Sequence, residues 1–134
     1  MLGLCLGLAG ALWAQVPAAQ FTLSWNHTIE KIRWEEDYNI TQNGFILTEA
    51  RIKGTGAGME IPHDAIFKAG SWHYTPNLPP LVRLKLGRTP EAGDYSLCFT
   101  EDSANSAPQC QLMSHWIGAP NHEQAAVELW GCDQ

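Results

Sequence analysis

Five residues near the start of the chain have the types needed for chemistry: His27, Glu30, Lys31, Glu35 and Glu36. An imidazole beside carboxylates suits a divalent cation or a general acid–base pair. Alternation puts Trp25 and Trp34 on adjacent antiparallel strands, so residues 27–31 become their connecting loop. His27 and Glu30 then stand at the rim of a sheet, with Glu36 and Glu49 expected nearby. A simpler reading is architectural: His27 hydrogen-bonds Glu30 and orders the turn, while Lys31 and Glu49 make surface pairs. Glu36 falls in phase with Trp34 and Tyr38, which points it toward the core. An unpaired carboxylate there is costly, and Arg51, His27 and Arg33 are the candidate partners. Trp72, His73 and Tyr74 line an aromatic groove in one reading and pack the core in the other.

Other tempting groups lack supporting pattern. The glycines at 54, 56 and 58 expose backbone amides, but the lysine and Ser/Thr of a phosphate loop are missing. Ser114-His115 and His63-Asp64 come without a nucleophile-elbow motif, which argues against a hydrolytic triad. No C-x-x-C pair is present, so neither a zinc knuckle nor a thioredoxin-type site is expected. No cofactor is implied.

The elements that must position these residues read as strands. Phe21, Leu23 and Trp25 alternate with polar residues, as do Ile32, Trp34, Tyr38 and Ile40. Gln42-Asn43-Gly44 supplies a hairpin turn, and a third strand from Phe45 to Lys53 pairs back. Shorter strands are expected at Trp72 to Tyr74, Val82 to Leu86, Tyr95 to Phe99, Gln109 to Ile117 and Ala126 to Trp130. The segment from His122 to Leu129 has a short helix capped by Asn121 as its alternative. The fold class is therefore all-β: a single antiparallel sandwich or open barrel of seven to nine short strands, with or without one short C-terminal helix.

The chain has 134 residues, 45% apolar and 16% charged, enough for one domain with its own core. A net charge of −6 with eight scattered basic residues excludes a nucleic-acid face and disfavours an anionic membrane surface. Residues 1–19 carry no charge, and Leu2 to Trp13 is apolar, with small residues at Ala14, Ala18 and Ala19. That reads as an export signal, too short for a membrane span. The domain is accordingly expected at residues 20–134, periplasmic or otherwise extracytoplasmic and at most peripheral to the membrane. This leaves three cysteines, Cys98, Cys110 and Cys132, an odd number. Cys98 and Cys110 are the preferred disulfide, because they flank a turn-rich stretch, with Cys132 able to displace either.

Several of these runs occur together in one bacterial family. Trp25-Asn26-His27-Thr28-Ile29-Glu30-Lys31 with Glu35-Glu36 resembles the opening motif of the domain of unknown function 1850 family, with Thr28 and Ile29 as mild departures. Thr48-Glu49-Ala50-Arg51, Gly56-Ala57-Gly58-Met59-Glu60, Trp72 with Tyr74, and Leu78-Pro79-Pro80-Leu81 are similar too. So are Asp94-Tyr95-Ser96-Leu97-Cys98, Cys110 and Leu129-Trp130-Gly131-Cys132. The resemblance implies a small exported protein, accessory to a tripartite ATP-independent periplasmic transporter, with a permease or solute receptor as partner.

The expectation is a non-catalytic binding or accessory module. Its ligand or partner candidates are His27, Glu30, Glu36, Glu49, Trp72 and Tyr74. The alternatives are a structural envelope domain without ligand and a metal-assisted enzyme using His27, Glu30 and Glu36.

Overall fold

The fold was obtained as a computed structural model, which describes residues 2–8, 11–26, 32–53, 62–91, 93–100, 107–123 and 126–134. In chain order the elements are β1 (Leu2–Leu8), β2 (Ala11–Val16), β3 (Gln20–Asn26), β4 (Arg33–Thr41) and β5 (Gly44–Lys53). Then come β6 (Ile66–Lys68), β7 (Ser71–Tyr74), β8 (Arg83–Gly87), β9 (Ser96–Thr100), β10 (Gln109–Leu112), α1 (Ser114–Ile117) and β11 (Ala126–Asp133). Four strands form one sheet in the order β2-β1-β11-β8, and seven form the other in the order β10-β9-β3-β4-β5-β7-β6. All the paired strands are antiparallel. The two sheets pack as a sandwich, and neither closes into a barrel.

Period-two alternation explains the interface between the sheets. Phe21 and Leu23 of β3, Tyr38 of β4, Phe45 and Leu47 of β5, and Leu97 and Phe99 of β9 face inward. Leu4, Leu6 and Leu8 of β1, with Val127 and Leu129 of β11, meet them from the smaller sheet. The hairpin at Gln42-Asn43 forms as its residues require. Gly44 has φ 122°, and a Cβ there would fall 2.6 Å from the Leu81 carbonyl oxygen. The close approach allows Phe45 and Leu81 to exchange backbone hydrogen bonds.

Within the segment read as an export signal, residues 2–8 and 11–16 form β1 and β2. β1 runs between β2 and β11, and Gly3 to Leu8 are buried. An uncharged apolar run reads equally as a leader or as a strand covered on both faces, since both need consecutive apolar residues. Cys132, expected as the leftover thiol, is bonded to Cys5. That bridge ties the first strand to the last across 127 residues of sequence. The expected Cys98–Cys110 bridge is present, joining directly opposed residues of β9 and β10.

Among the described residues eleven strands stand where seven to nine were expected; β1, β2 and β6 are the additions. The alternative helix from His122 to Leu129 does not form: β11 occupies residues 126–133. The short helix lies earlier, at Ser114–Ile117, in a stretch expected to be extended. Asp94 accounts for the turn into helix. Its Oδ2 accepts the Ser114 N–H at 2.7 Å, a cap supplied from 20 residues away in sequence. Arg88 completes a clasp: its Nε donates to Asp94 Oδ1 at 3.0 Å, and one terminal nitrogen donates to the Gly118 carbonyl at 2.8 Å. Both ends of α1 are thus held by one nearly buried ion pair.

Candidate functional site

β3, β4, β5 and β7 present two very different faces. On the outer face, Glu35 and Asp37 of β4, Glu49 and Arg51 of β5, and His73 of β7 are neighbours by register. Arg51 is the hub. It donates through Nε to Glu35 at 3.1 Å, through both terminal nitrogens to Asp37 at 2.6 and 2.8 Å, and to Glu49 at 3.0 Å. His73 Nδ1 lies 2.7 Å from the Glu49 carboxylate, and Thr22 donates to Asp37 at 2.7 Å. Burial pushes Asp37 up, but hydrogen bonds from Arg51 and Thr22 outweigh it and hold the carboxyl below its ordinary value. Glu49 is held low by His73 and Arg51 against the same opposing effect. A shallow cavity of about 240 Å³ opens beside this network, with Gln20, Thr22, Asp37, Asn39, Thr48 and Thr100 in its lining. The ladder is polar and internally satisfied, which is what an exposed sheet face needs to remain ordered.

The inner face is different. Trp25, Trp34, Ile52 and Trp72 form one row across β3, β4, β5 and β7, and Leu23, Glu36, Ala50 and Tyr74 form the next. Trp25 and Trp34 stack with centroids 6.0 Å apart, and Tyr95 leans on Trp25 at 5.4 Å. Phe67 of β6 meets Trp72 edge-on at 5.2 Å. Glu36 stands among these rings, as its strand phase requires. Its partner is the Tyr38 hydroxyl, which donates to Oε1 at 3.0 Å.

Of the expected cations, neither Arg51 nor Arg33 reaches Glu36, and His27 lies outside the described residues. Arg51 lies on the opposite face with three carboxylates, and Arg33 donates to Ser24 at 2.7 Å. Burial therefore raises the Glu36 carboxyl above its ordinary value, and the Tyr38 hydrogen bond offsets only part of that. Burial and then the charge of Glu36 raise the hydroxyls of Tyr74 and Tyr95 in turn, which places both within its field. Two further polar atoms stand out. The indole N–H groups of Trp34 and Trp72 are buried and have no hydrogen-bond partner among the described residues. Buried donors are ordinarily paired; among the described residues this face carries two unmet donors and one carboxyl without a cation.

A pH dependence follows. The folded-state pKa of Glu36 is raised, so its contribution favours folding below the unfolded pKa, near 4.5, and is lost as pH rises through the higher folded value. Glu36→Gln is expected to be at least as stable as the parent at pH 7. The stability difference between the two, followed by urea unfolding from pH 3.5 to 8, is expected to shift in the variant's favour as pH rises. A difference that stays flat, or moves the other way, would show that the carboxyl has a cation partner.

The residues expected to form a site are thus divided. Glu36, Trp72 and Tyr74 share the inner face, while Glu49 is on the outer face with Arg51 and His73. A bulge explains Glu49. The pairing shifts at Asp37/Tyr38, where Thr48 is the extra residue, so Phe45 and Leu47 face inward and so do Ala50 and Ile52. His27 and Glu30 lie outside the described residues, as does the glycine-rich run at 54–59. Among the described residues no three His, Cys, Asp or Glu side chains gather to hold a metal ion. Sequence reasoning did not single out Trp34 or Tyr95 as site residues; their alternation with polar neighbours was the available signal.

The chain belongs to the family described as domain of unknown function DUF1850, which it matches over residues 21–105. That span carries β3 through β9 and the whole aromatic face, whereas β1, β2, β10, α1 and β11 fall outside it. No curated protein and no solved structure matches the chain.

Proposed function

We propose that this member of the family is a non-catalytic, extracytoplasmic binding module that assists a tripartite ATP-independent periplasmic transporter. The observation that carries the binding reading is the inner face. Among the described residues Glu36 has no cation and two indole donors have no acceptor, an arrangement that is costly in a purely structural sheet. The rings of Trp25, Trp34, Trp72 and Tyr95 would supply apolar walls of a small-molecule site, and Glu36 a polar group that orients its ligand. Two disulfides are consistent with an oxidising compartment outside the cytoplasm. Among the described residues no helix is long and apolar enough to cross a membrane.

A permease or solute receptor is the proposed partner. Leu12 and Trp13 on edge strand β2, and Ile66 and Phe67 on edge strand β6, are at least half exposed and suit contact with another protein.

Intrinsic tryptophan fluorescence tests the binding reading. The full, disulfide-bonded chain is titrated with amino acids, organic amines, dicarboxylates and sugars. One class is expected to change the emission saturably, with the response lost in Glu36→Gln. No saturable response from any class would return the inner face to a structural role. Uptake assays in cells carrying the transporter test the accessory role. Deletion of this protein is expected to lower uptake several-fold, and unchanged uptake would sever the link to transport.

A further inference from the structure

We infer that the bridge between Cys98 and Cys110 is a thiol–disulfide exchange site. A protein dithiol of the C-x-x-C class opens it by attacking the Cys110 sulfur, while the bridge between Cys5 and Cys132 stays closed.

The two bridges stand in opposite surroundings. Cys5 is 1% exposed and sits on β1, with β2 and β11 paired on either side. Its partner Cys132 accepts from the Gln134 side-chain amide, whose Nε2 lies 3.4 Å from Sγ. Cys98 and Cys110 are directly opposed on β9 and β10, on the outer face of the larger sheet with Thr22. Cys110 is exposed and Cys98 is half-buried. β10 is the last strand of that sheet among the described residues. The outer-face row of Asp37, Thr22, Cys98 and Cys110 therefore ends at an open edge.

Exchange depends on which sulfur is attacked and on access to it. The incoming thiolate approaches in line, from the side opposite the sulfur that leaves. Attack on Cys98 has to come from β3, over Thr22, one strand spacing or about 4.8 Å away. The shallow cavity of about 240 Å³ that both residues line admits a small thiol there, not the loop of a protein. Attack on Cys110 comes from beyond β10, where no described strand intervenes. The attacking sulfur bonds to Cys110 Sγ and the bond to Cys98 breaks. Its electron pair leaves on Cys98 Sγ, which takes up a proton from water. The second thiolate of the dithiol then attacks its own bonded sulfur, closes the reductant's disulfide and releases Cys110, which is protonated in turn. This chain gains two electrons and two protons, and the dithiol gives them up.

The opening is local. The far end of β10 is held without the bridge: Met113 is fully buried, and its N–H donates to the Tyr95 carbonyl at 2.9 Å. Ser114 is held in the same way by Asp94. The near end is fastened by the bridge, and Pro108 beside it lines the cavity. Reduction thus loosens the start of β10 and one cavity wall together, and leaves the sandwich in place.

The test uses the full chain with both bridges formed, at pH 7. Thioredoxin with its resolving cysteine replaced by serine traps the mixed disulfide, which peptide mass spectrometry locates. Adducts are expected on Cys110 at least tenfold above Cys98, with none on Cys5 or Cys132. With intact thioredoxin, N-ethylmaleimide is expected to label Cys98 and Cys110 at least tenfold faster than the other two cysteines. Hydrogen exchange of the labelled chain is expected to lose protection over residues 107–111 alone. The Cys98→Ser/Cys110→Ser double variant is expected to keep a cooperative urea transition and to form no adduct.

Labelling of both bridges at one rate, or of Cys5 and Cys132 first, would overturn the inference. Adducts chiefly on Cys98 would overturn it by placing the attack in the cavity. Loss of the unfolding transition in the double variant would overturn it too, because the bridge would then be a staple of the whole fold.

Discussion

A chain shortened to begin at Gln20 is expected to lose its cooperative unfolding transition. The deletion removes β1 and β2, half of the four-stranded sheet, and leaves the inner edge of β11 unpaired. It takes Leu4, Leu6, Leu8 and Val16 out of the core, each at most 2% exposed. Truncating one such leucine to alanine costs about 2–5 kcal/mol, and a domain of this size has only about 5–15 kcal/mol to lose. The same deletion breaks the bridge between Cys5 and Cys132. For a loop this long the chain-entropy model credits a disulfide with about 4–5 kcal/mol. Circular dichroism and urea unfolding of the shortened chain are expected to show no sigmoidal transition. A folded chain with a midpoint near that of the parent would mean that residues 1–19 are dispensable to the sandwich.

The second large effect is expected at Arg88, which is 1% exposed. Arg88→Ala strands Asp94 in the interior, still bonded to the Tyr95 and Ser114 amides but without its cation. It also frees the Gly118 carbonyl at the end of α1. Breaking a buried pair from one side costs about 3–5 kcal/mol, a fall in Tm of more than about 10 °C for a domain of this size. Asp94→Asn in the Arg88→Ala background is expected to recover part of that loss, because it removes the stranded charge. Thermal unfolding of the two single variants and the double variant decides the point. Purely additive losses would mean that the two side chains act independently.

Much of the larger sheet was legible from residue spacing alone. Trp25 opposite Trp34, the turn at Gln42-Asn43-Gly44, the inward phase of Glu36 and the bridge between Cys98 and Cys110 all follow from alternation or turn chemistry. The illegible parts depend on contacts distant in sequence. The apolar run at Leu2–Leu8 has no alternation to mark it as a strand, because it is covered on both faces; its partner β11 lies at the other end of the chain. Thr48 as a bulge could not be foreseen, and strict alternation from Phe45 would have kept Glu49 on the face of Glu36. Ser114–Ile117 turns helical through the Asp94 carboxylate, which local propensity does not contain. The same limit applied to the site. The phase of Glu36 was visible, but the loss of Arg51 as its partner was not, because Arg51 is drawn to the other face by three carboxylates across the strands.

The indole region of a ¹⁵N–¹H correlation spectrum tests the inner-face site most directly, since each of the six tryptophans contributes one resonance. The Trp34 and Trp72 signals are assigned by substitution to phenylalanine and followed as amino acids and glycine betaine are added. Both signals are expected to move saturably downfield with one solute and to exchange more slowly with solvent. Trp13, half exposed on β2, and Trp130, stacked under Arg83, are predicted to stay in place. If the Trp34 and Trp72 signals stay fixed at every solute concentration while already protected from exchange in the free protein, their donors are satisfied within the chain, and the inner face is not a binding site.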